Sequence, residues 1–191
     1  MGEQRSKQRH HYIPAAYLGR FSWVTTGRPR KRPLYVARVG VDKIFCRSAE
    51  DLACKEGLYN LPGSEATWLG EHIDAWDYEG RLPQALDNLR DSGDSINADT
   101  WLHTLVPFIT GLFVRGPDRN DGLNNFGRIV EFQELLAPVM AARWTVVHLP
   151  PGDELIASDR GFGGVTLGGQ VGIIVPCDPQ TALVLTQCRL A

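Results

Sequence analysis

Apolar positions along the chain fall into stretches of helical and of strand-like spacing. Ile13, Tyr17, Leu18 and Phe21 lie on one helical face behind Pro14, which predicts a short docked helix over 14–22. "PLYVARV" (33–39) and "DKIFCRS" (42–48) are rich in β-formers and are separated by a glycine turn, the signature of a hairpin. "AEDLACKEG" reads as a short helix or turn, and "LYNL" as a short edge strand.

A helical half follows. Ser64 is an N-cap for "EATWLGEHIDAWDYEG", where Leu69, Ile73 and Trp76 share a face. Gly80 and Pro83 predict a kink or break, and "QALDNLRDSG" completes the element at Gly93. Asn97 or Asp99 caps a helix over 99–115 that is apolar nearly all round and therefore central. "LNNFGRIVEFQELLAPVMAAR" is a third long helix, with Pro138 near its end. The tail returns to strands: "RWTVVHLP", then "ELIASD" across "PGD", then "QVGIIVPC" and "TALVLTQC" paired across "DPQ". "GFGGVTLGGQ" lacks both the strand–helix context of a dinucleotide fingerprint and the P-loop lysine, and reads as a flexible loop beside the sheet. The order of strands, helices and strands predicts an α+β fold. It is a single domain over 10–191 behind a mobile tail, 1–9. A largely antiparallel sheet, from the N-terminal hairpin and the C-terminal strands, is covered by three or four central helices.

Composition narrows the class. The 191 residues are 43% hydrophobic and carry a net charge of −2, enough for a real core and too little charge for general recruitment of nucleic acid or anionic membrane. "GRPRKRP" (27–33) is the local exception. It is either a phosphate-binding patch or a solvated loop, and its two prolines favour the loop. Cys46, Cys54, Cys177 and Cys188 show no C-x-x-C spacing, which fits a reduced compartment rather than a zinc knuckle or disulfide framework. No apolar leader is visible. The longest apolar run, "WLHTLVPFITGLFV", falls short of the ~20 residues a bilayer needs, so a cytoplasmic protein with no membrane partner is expected.

No complete catalytic motif is present, but four polar clusters stand out. His10-His11-Tyr12 offers imidazoles suited to proton transfer, and adjacent residues on an extended segment point opposite ways. His11 is expected to face a pocket, and His10 to face solvent or cap backbone. Glu65, His72 and Glu79 recur every seven residues. A rise of roughly 10 Å per seven residues keeps one ion from being shared along an unbroken helix. Glu79, beside Gly80, is the one of interest. Arg115 and Arg119 flank Gly116-Pro117 after the most apolar helix. They either complement the helix dipole or fork around a carboxylate or phosphate. Ser158-Asp159 ends an apolar segment and opens a glycine-rich loop, as either a pocket rim or a strand-ending turn.

Taken in order, "HHYIPAAYLGRF", "KEGLY", "EGRLPQAL", "FVRGPDR", "LIASDRG" and "VGIIVPCDPQTALVL" resemble the bacterial domain of unknown function family 4238. The resemblance spans residues 10 to about 186. It carries over His11, Tyr12, Pro14, Glu79, Arg115, Ser158 and Asp159, with Arg119 following more loosely. The turn here is "PCDP" where the family has Pro-x-Ser-Pro. The resemblance implies positions rather than a reaction. Charged residues drawn from separated segments are costly to bury without partners, so a convergent polar site is expected. The leading expectation is an enzyme acting on a small anionic substrate or nucleotide, through phosphodiester or nucleotide hydrolysis. His11, Glu79 and Asp159 would be catalytic, with a divalent metal as an option. Tyr12, Arg115, Arg119 and Ser158 would bind substrate. A small-molecule tailoring enzyme or other hydrolase is one alternative. A non-catalytic interaction module with a buried polar network is another.

Overall fold

The computed structural model describes residues 9–56, 78–91, 95–116 and 125–187. It is an α+β fold in which every strand pair is antiparallel. The elements are β1 (Arg9–His11), α1 (Ala15–Leu18, extended by a 3-10 turn Gly19–Phe21), β2 (Pro33–Arg38), β3 (Val41–Ser48), β4 (Cys54–Glu56) and α2 (Tyr78–Asp91). After them come α3 (Val106–Arg115), α4 (Asn125–Ala141), β5 (Arg143–His148), β6 (Gly163–Leu167), β7 (Gln170–Pro176) and β8 (Thr181–Thr186).

Among the described residues the strands form three ladders, β1-β4, β2-β3 and β5-β8-β7-β6, so the N-terminal hairpin does not join the C-terminal sheet. It attaches instead by one face, through Leu34 and Val36. Strand β8 is buried along its whole length. Its Leu183 and Leu185 pack with Val175 against a core that includes Leu105, Val106, Phe108, Ile109 and Leu112.

Several expectations are corrected. Helix α2 runs unbroken through Gly80 and Pro83. Pro83 removes one helical bond, but the buried stripe Tyr78, Leu82, Ala85, Leu86 and Leu89 seats the helix regardless. Residues 154–159 form no strand and do not pair with β5, whose partner is β8; Leu155 N–H donates to Pro179 O at 2.7 Å. "GFGGVTLGGQ" is no loop. It contains β6 and the turn into β7, where Gly168 (φ 56°) and Gly169 (φ 78°) adopt the left-handed pair of a tight hairpin. Arg9, placed in the tail by the sequence, is the first residue of β1, opposite Glu56. The long apolar helix is divided. Asn97 caps its first turn, with Oδ1 accepting from Asp99 N and Thr100 N. A π-turn, Trp101–Leu105, then absorbs the N–H missing at Pro107 before α3 begins. "LYNL", Ser64, Glu65, His72 and the rest of 57–77 lie outside the described residues, as does Arg119.

Candidate functional site

The "RHHYIP" stretch is held by strand pairing. β1 lies antiparallel to β4, with His11 opposite Cys54, and Tyr12 N–H extends the ladder by donating to Ala53 O at 2.9 Å. Ile13 and Tyr17 then sink into the core. Alternation makes His10 the buried imidazole, at 9% exposure, and His11 the half-buried one, so His10 does not face solvent. His11 Nε2 lies 3.1 Å from Glu50 O; since a carbonyl only accepts, that nitrogen carries the proton. Arg9 completes this edge. It donates to Asp51 Oδ1 at 3.0 Å and to Cys54 Sγ at 2.9 Å, while Ser48 Oγ donates to Asp51 Oδ2 at 2.6 Å. The Ser48 and Arg9 hydrogen bonds hold the Asp51 carboxyl below its ordinary range.

A second cluster joins α2 to α3. Arg115 is enclosed, with 3% of its side chain exposed. Its Nη1 meets Glu79 Oε1 at 2.7 Å and its Nη2 donates to the buried Tyr78 hydroxyl, while Glu79 keeps 43% of its side chain in water. Gly111 makes the fit possible, because a Cβ there would lie 2.8 Å from Tyr78 Oη. A guanidinium so enclosed orients a surface carboxylate.

The third segment is the loop after residue 157. Ser158 is used by its own turn: Oγ donates to Phe162 O at 3.2 Å and accepts from Arg160 N at 3.3 Å. Gly161, at φ 76°, closes against Leu112, and Phe162 packs on Phe113 at 4.6 Å between ring centres. The loop thus sits on α3 within one turn of Arg115. Asp159 is exposed and close enough for its charge to act on Tyr12. The Tyr12 phenol is pushed up from its ordinary value by burial first, then by Asp159, then by Cys54.

Of the predicted residues, Glu79 and Arg115 are in direct contact, His11 and Tyr12 are consecutive at the β1 edge, and Asp159 lies on the loop that packs on α3. Among the described residues no three His, Cys, Asp or Glu side chains converge to hold a metal ion. A cavity of about 510 Å³ lies elsewhere, between the end of α2 and the Asn97 turn, lined by Ala85, Leu89, Ile96 and Thr100 among others; none of the sequence-predicted residues lines it.

Sequence reading missed a buried ionic hub. Arg20, just past α1, donates from Nε to Cys177 O at 2.9 Å, and its Nη1 and Nη2 meet Asp87 at 2.8 Å and Asp178 at 3.5 Å. Asp178 Oδ1 also accepts from Gln180 N at 2.9 Å and Thr181 N at 2.8 Å. The available signal was Asp178-Pro179 between two strands, a turn former whose side chain caps its own backbone. No helix among the described residues is long and apolar enough to cross a membrane. No protein-family model, curated protein or solved structure matches this chain.

Proposed function

We propose that the chain shares a polar site with the bacterial family it resembles, and that this site belongs to an enzyme acting on a small anionic substrate, by phosphodiester or nucleotide hydrolysis. The observation that carries the reading is His11, half-buried at the β1 edge with Nε2 set against Glu50 O at 3.1 Å, next to a Tyr12 whose phenol burial pushes up. His11 is the general acid or base. With Nε2–H given to Glu50 O, the neutral ring carries its lone pair on Nδ1, the nitrogen that accepts a proton from attacking water. Tyr12 stays protonated at neutral pH and donates its O–H to a substrate oxygen. Asp159 orients His11 or Tyr12. Glu79 is the second carboxylate, Arg115 is its positioning residue, and Ser158 shapes the loop that presents Asp159.

The enclosure of Arg115 favours a second reading, a non-catalytic module in which the same residues only tie helices together. A substrate panel separates them. It comprises a bis-aryl phosphodiester, cyclic nucleotides and short oligonucleotides, with aryl esters as the non-phosphate arm. Hydrolysis of a phosphodiester that falls by about 10²-fold or more in His11→Ala and in Asp159→Asn, with melting temperatures kept, supports the enzyme. Full retention of that rate in both variants, or no turnover of any phosphodiester or nucleotide, sinks it.

A further inference from the structure

The turn and hairpin after α1 carry chemistry that the candidate site does not use. Residues 4–41 hold nine Lys or Arg and no Asp or Glu, although the whole chain has a net charge of −2. Such asymmetry is a footprint of polyanion binding when the cations cluster in space. Here they do. Arg32 folds the turn by donating from Nη2 to Thr25 O at 2.5 Å and to Gly27 O at 3.3 Å. Arg28 and Lys31 stand exposed on it, and Arg30 meets Glu50 at 3.4 Å with its own side chain 60% exposed.

Beside this turn Trp23 and Tyr35 stack, with ring centres 4.2 Å apart and planes within 15°. Trp23 is 51% exposed and Tyr35 70%. Strand register puts Tyr35 opposite Cys46 and Ala37 opposite Ile44 on one face of the hairpin, and Ile44 is 68% exposed. The opposite face carries Leu34 and Val36 into the core. One side of the hairpin is thus seated, while the other shows two parallel rings and an isoleucine to water, next to a cationic turn.

We propose that this face binds single-stranded nucleic acid, with bases stacking on the Trp23–Tyr35 pair and phosphates held by Arg28, Arg30 and Lys31. The residue types choose among anionic partners. An acidic peptide offers charge but not a run of flat faces. A lipid surface rewards inserted aliphatic and aromatic edges, and gains little from two rings already stacked on each other. A single strand offers both a phosphate backbone and unpaired bases, the combination that stacking platforms beside basic grooves take. Because each ring blocks the rotation of the other, the platform is ordered before it binds. Duplex DNA hides base faces in its own stack and should bind less well. Glu50 connects this face to the candidate site, since its carboxylate holds Arg30 while its carbonyl accepts from His11. The binding does not require that site to be catalytic.

Fluorescence anisotropy on the full chain tests this, with labelled oligo-dT and oligo-rU of about 20 nucleotides, a duplex of equal length, a poly-glutamate peptide and phosphatidylserine vesicles. Single strands are expected to bind tightest, and Trp23→Ala with Tyr35→Ala to weaken them about ten-fold or more. Arg28→Gln with Lys31→Gln should flatten the salt dependence, by about 0.7 in logarithmic slope for each phosphate left without its cation. All four side chains are exposed, so melting temperatures should hold. If the aromatic double variant melts early, Tyr35→Ala alone reads the same loss. Unchanged oligonucleotide affinity in the folded aromatic variants, equal affinity for duplex and poly-glutamate, or binding to vesicles without binding to oligonucleotides overturns the proposal. Loss of hydrolysis in His11→Ala with oligonucleotide binding intact would separate the two sites.

Discussion

Tyr17 is the side chain whose removal tests the architecture of the site most directly. It is 1% exposed, and its hydroxyl donates to Pro176 O at 2.6 Å, with Gly161 O at 3.3 Å. It therefore ties α1, which follows His11 and Tyr12, to the end of β7 and to the loop that carries Asp159. Tyr17→Phe removes only the oxygen. The ring contacts with Phe108 and Phe21, at 5.2 and 5.6 Å, stay in place. What disappears is a hydrogen bond to a carbonyl in a dry site, and leaving such a group unsatisfied costs about 1–3 kcal/mol. At the roughly 2–4 °C per kcal/mol typical of this chain length, the melting temperature should fall by about 2–12 °C. Urea unfolding should show a lower midpoint with an unchanged m-value. The pH dependence gives a second check. Burial holds the Tyr17 phenol well above its ordinary value. A raised folded value contributes stability that is fully present below the unfolded tyrosine range and is lost as pH rises toward the folded one. The difference between the parent and Tyr17→Phe should thus be flat across neutral pH and shrink above pH ~10. A phenylalanine variant with parental stability, or a gap that widens in alkali, would refute the assignment of this bond.

Three further outcomes follow from the same geometry. Asp178→Ala should cost about 2–4 kcal/mol by urea unfolding, because it removes the acceptor of two turn N–H groups and one partner of buried Arg20, whereas Asp178→Asn should cost about half as much. Gly19→Ala should destabilise by about 3 kcal/mol or more in a thermal melt, since its Cβ would lie 1.9 Å from Pro29 O and neither backbone can move without opening the 29–31 turn. Cys177, buried and pushed up to about 12 by burial and then by Asp178, should resist iodoacetamide in the native state at pH ~8 while exposed Cys46 is alkylated; mass spectrometry of digests reads both.

The fold class was legible because its signals are local and repeated. Helix α1, the β2–β3 hairpin, α4 and the β7–β8 pair each follow from spacing within a dozen residues. Errors arise where a non-local partner decides. β1 has only three residues, and nothing in "RHH" marks a strand until Cys54–Glu56 lies beside it. Residues 154–159 have strand composition, yet β5 takes β8 as its partner, and Leu155 N–H goes to Pro179 O in the turn before β8. Pro83 reads as a breaker, and the burial of Leu82 and Leu86 overrides it. The "LGGQ" hairpin is readable in principle, since two consecutive glycines between β-formers are a turn signal in their own right, but the glycines on either side of it disguise the strand as a loop.

The site shows a different division. Sequence displays which side chains are suited to chemistry, but not which ones hold them. His11, Glu79, Arg115 and Asp159 were visible by type, while Tyr17, Arg20 and Asp178, which fix the segments that carry them, were not. Each of these three looks ordinary in sequence: a tyrosine on a helix face, an arginine after it, an aspartate in a turn. Their roles exist only once residues near 20, 87, 161 and 177 are neighbours. The physics also makes the holders the more demanding positions. An exposed Asp159 can be replaced and its volume filled by water, whereas a buried guanidinium or phenol that loses its acceptor has nothing to turn to. If the polar cluster is a site, its failure under mutation should therefore come in two kinds. Changes at His11 and Asp159 should lower rate with the fold intact, and changes at Tyr17, Arg20 and Asp178 should lower stability first and rate only as a consequence.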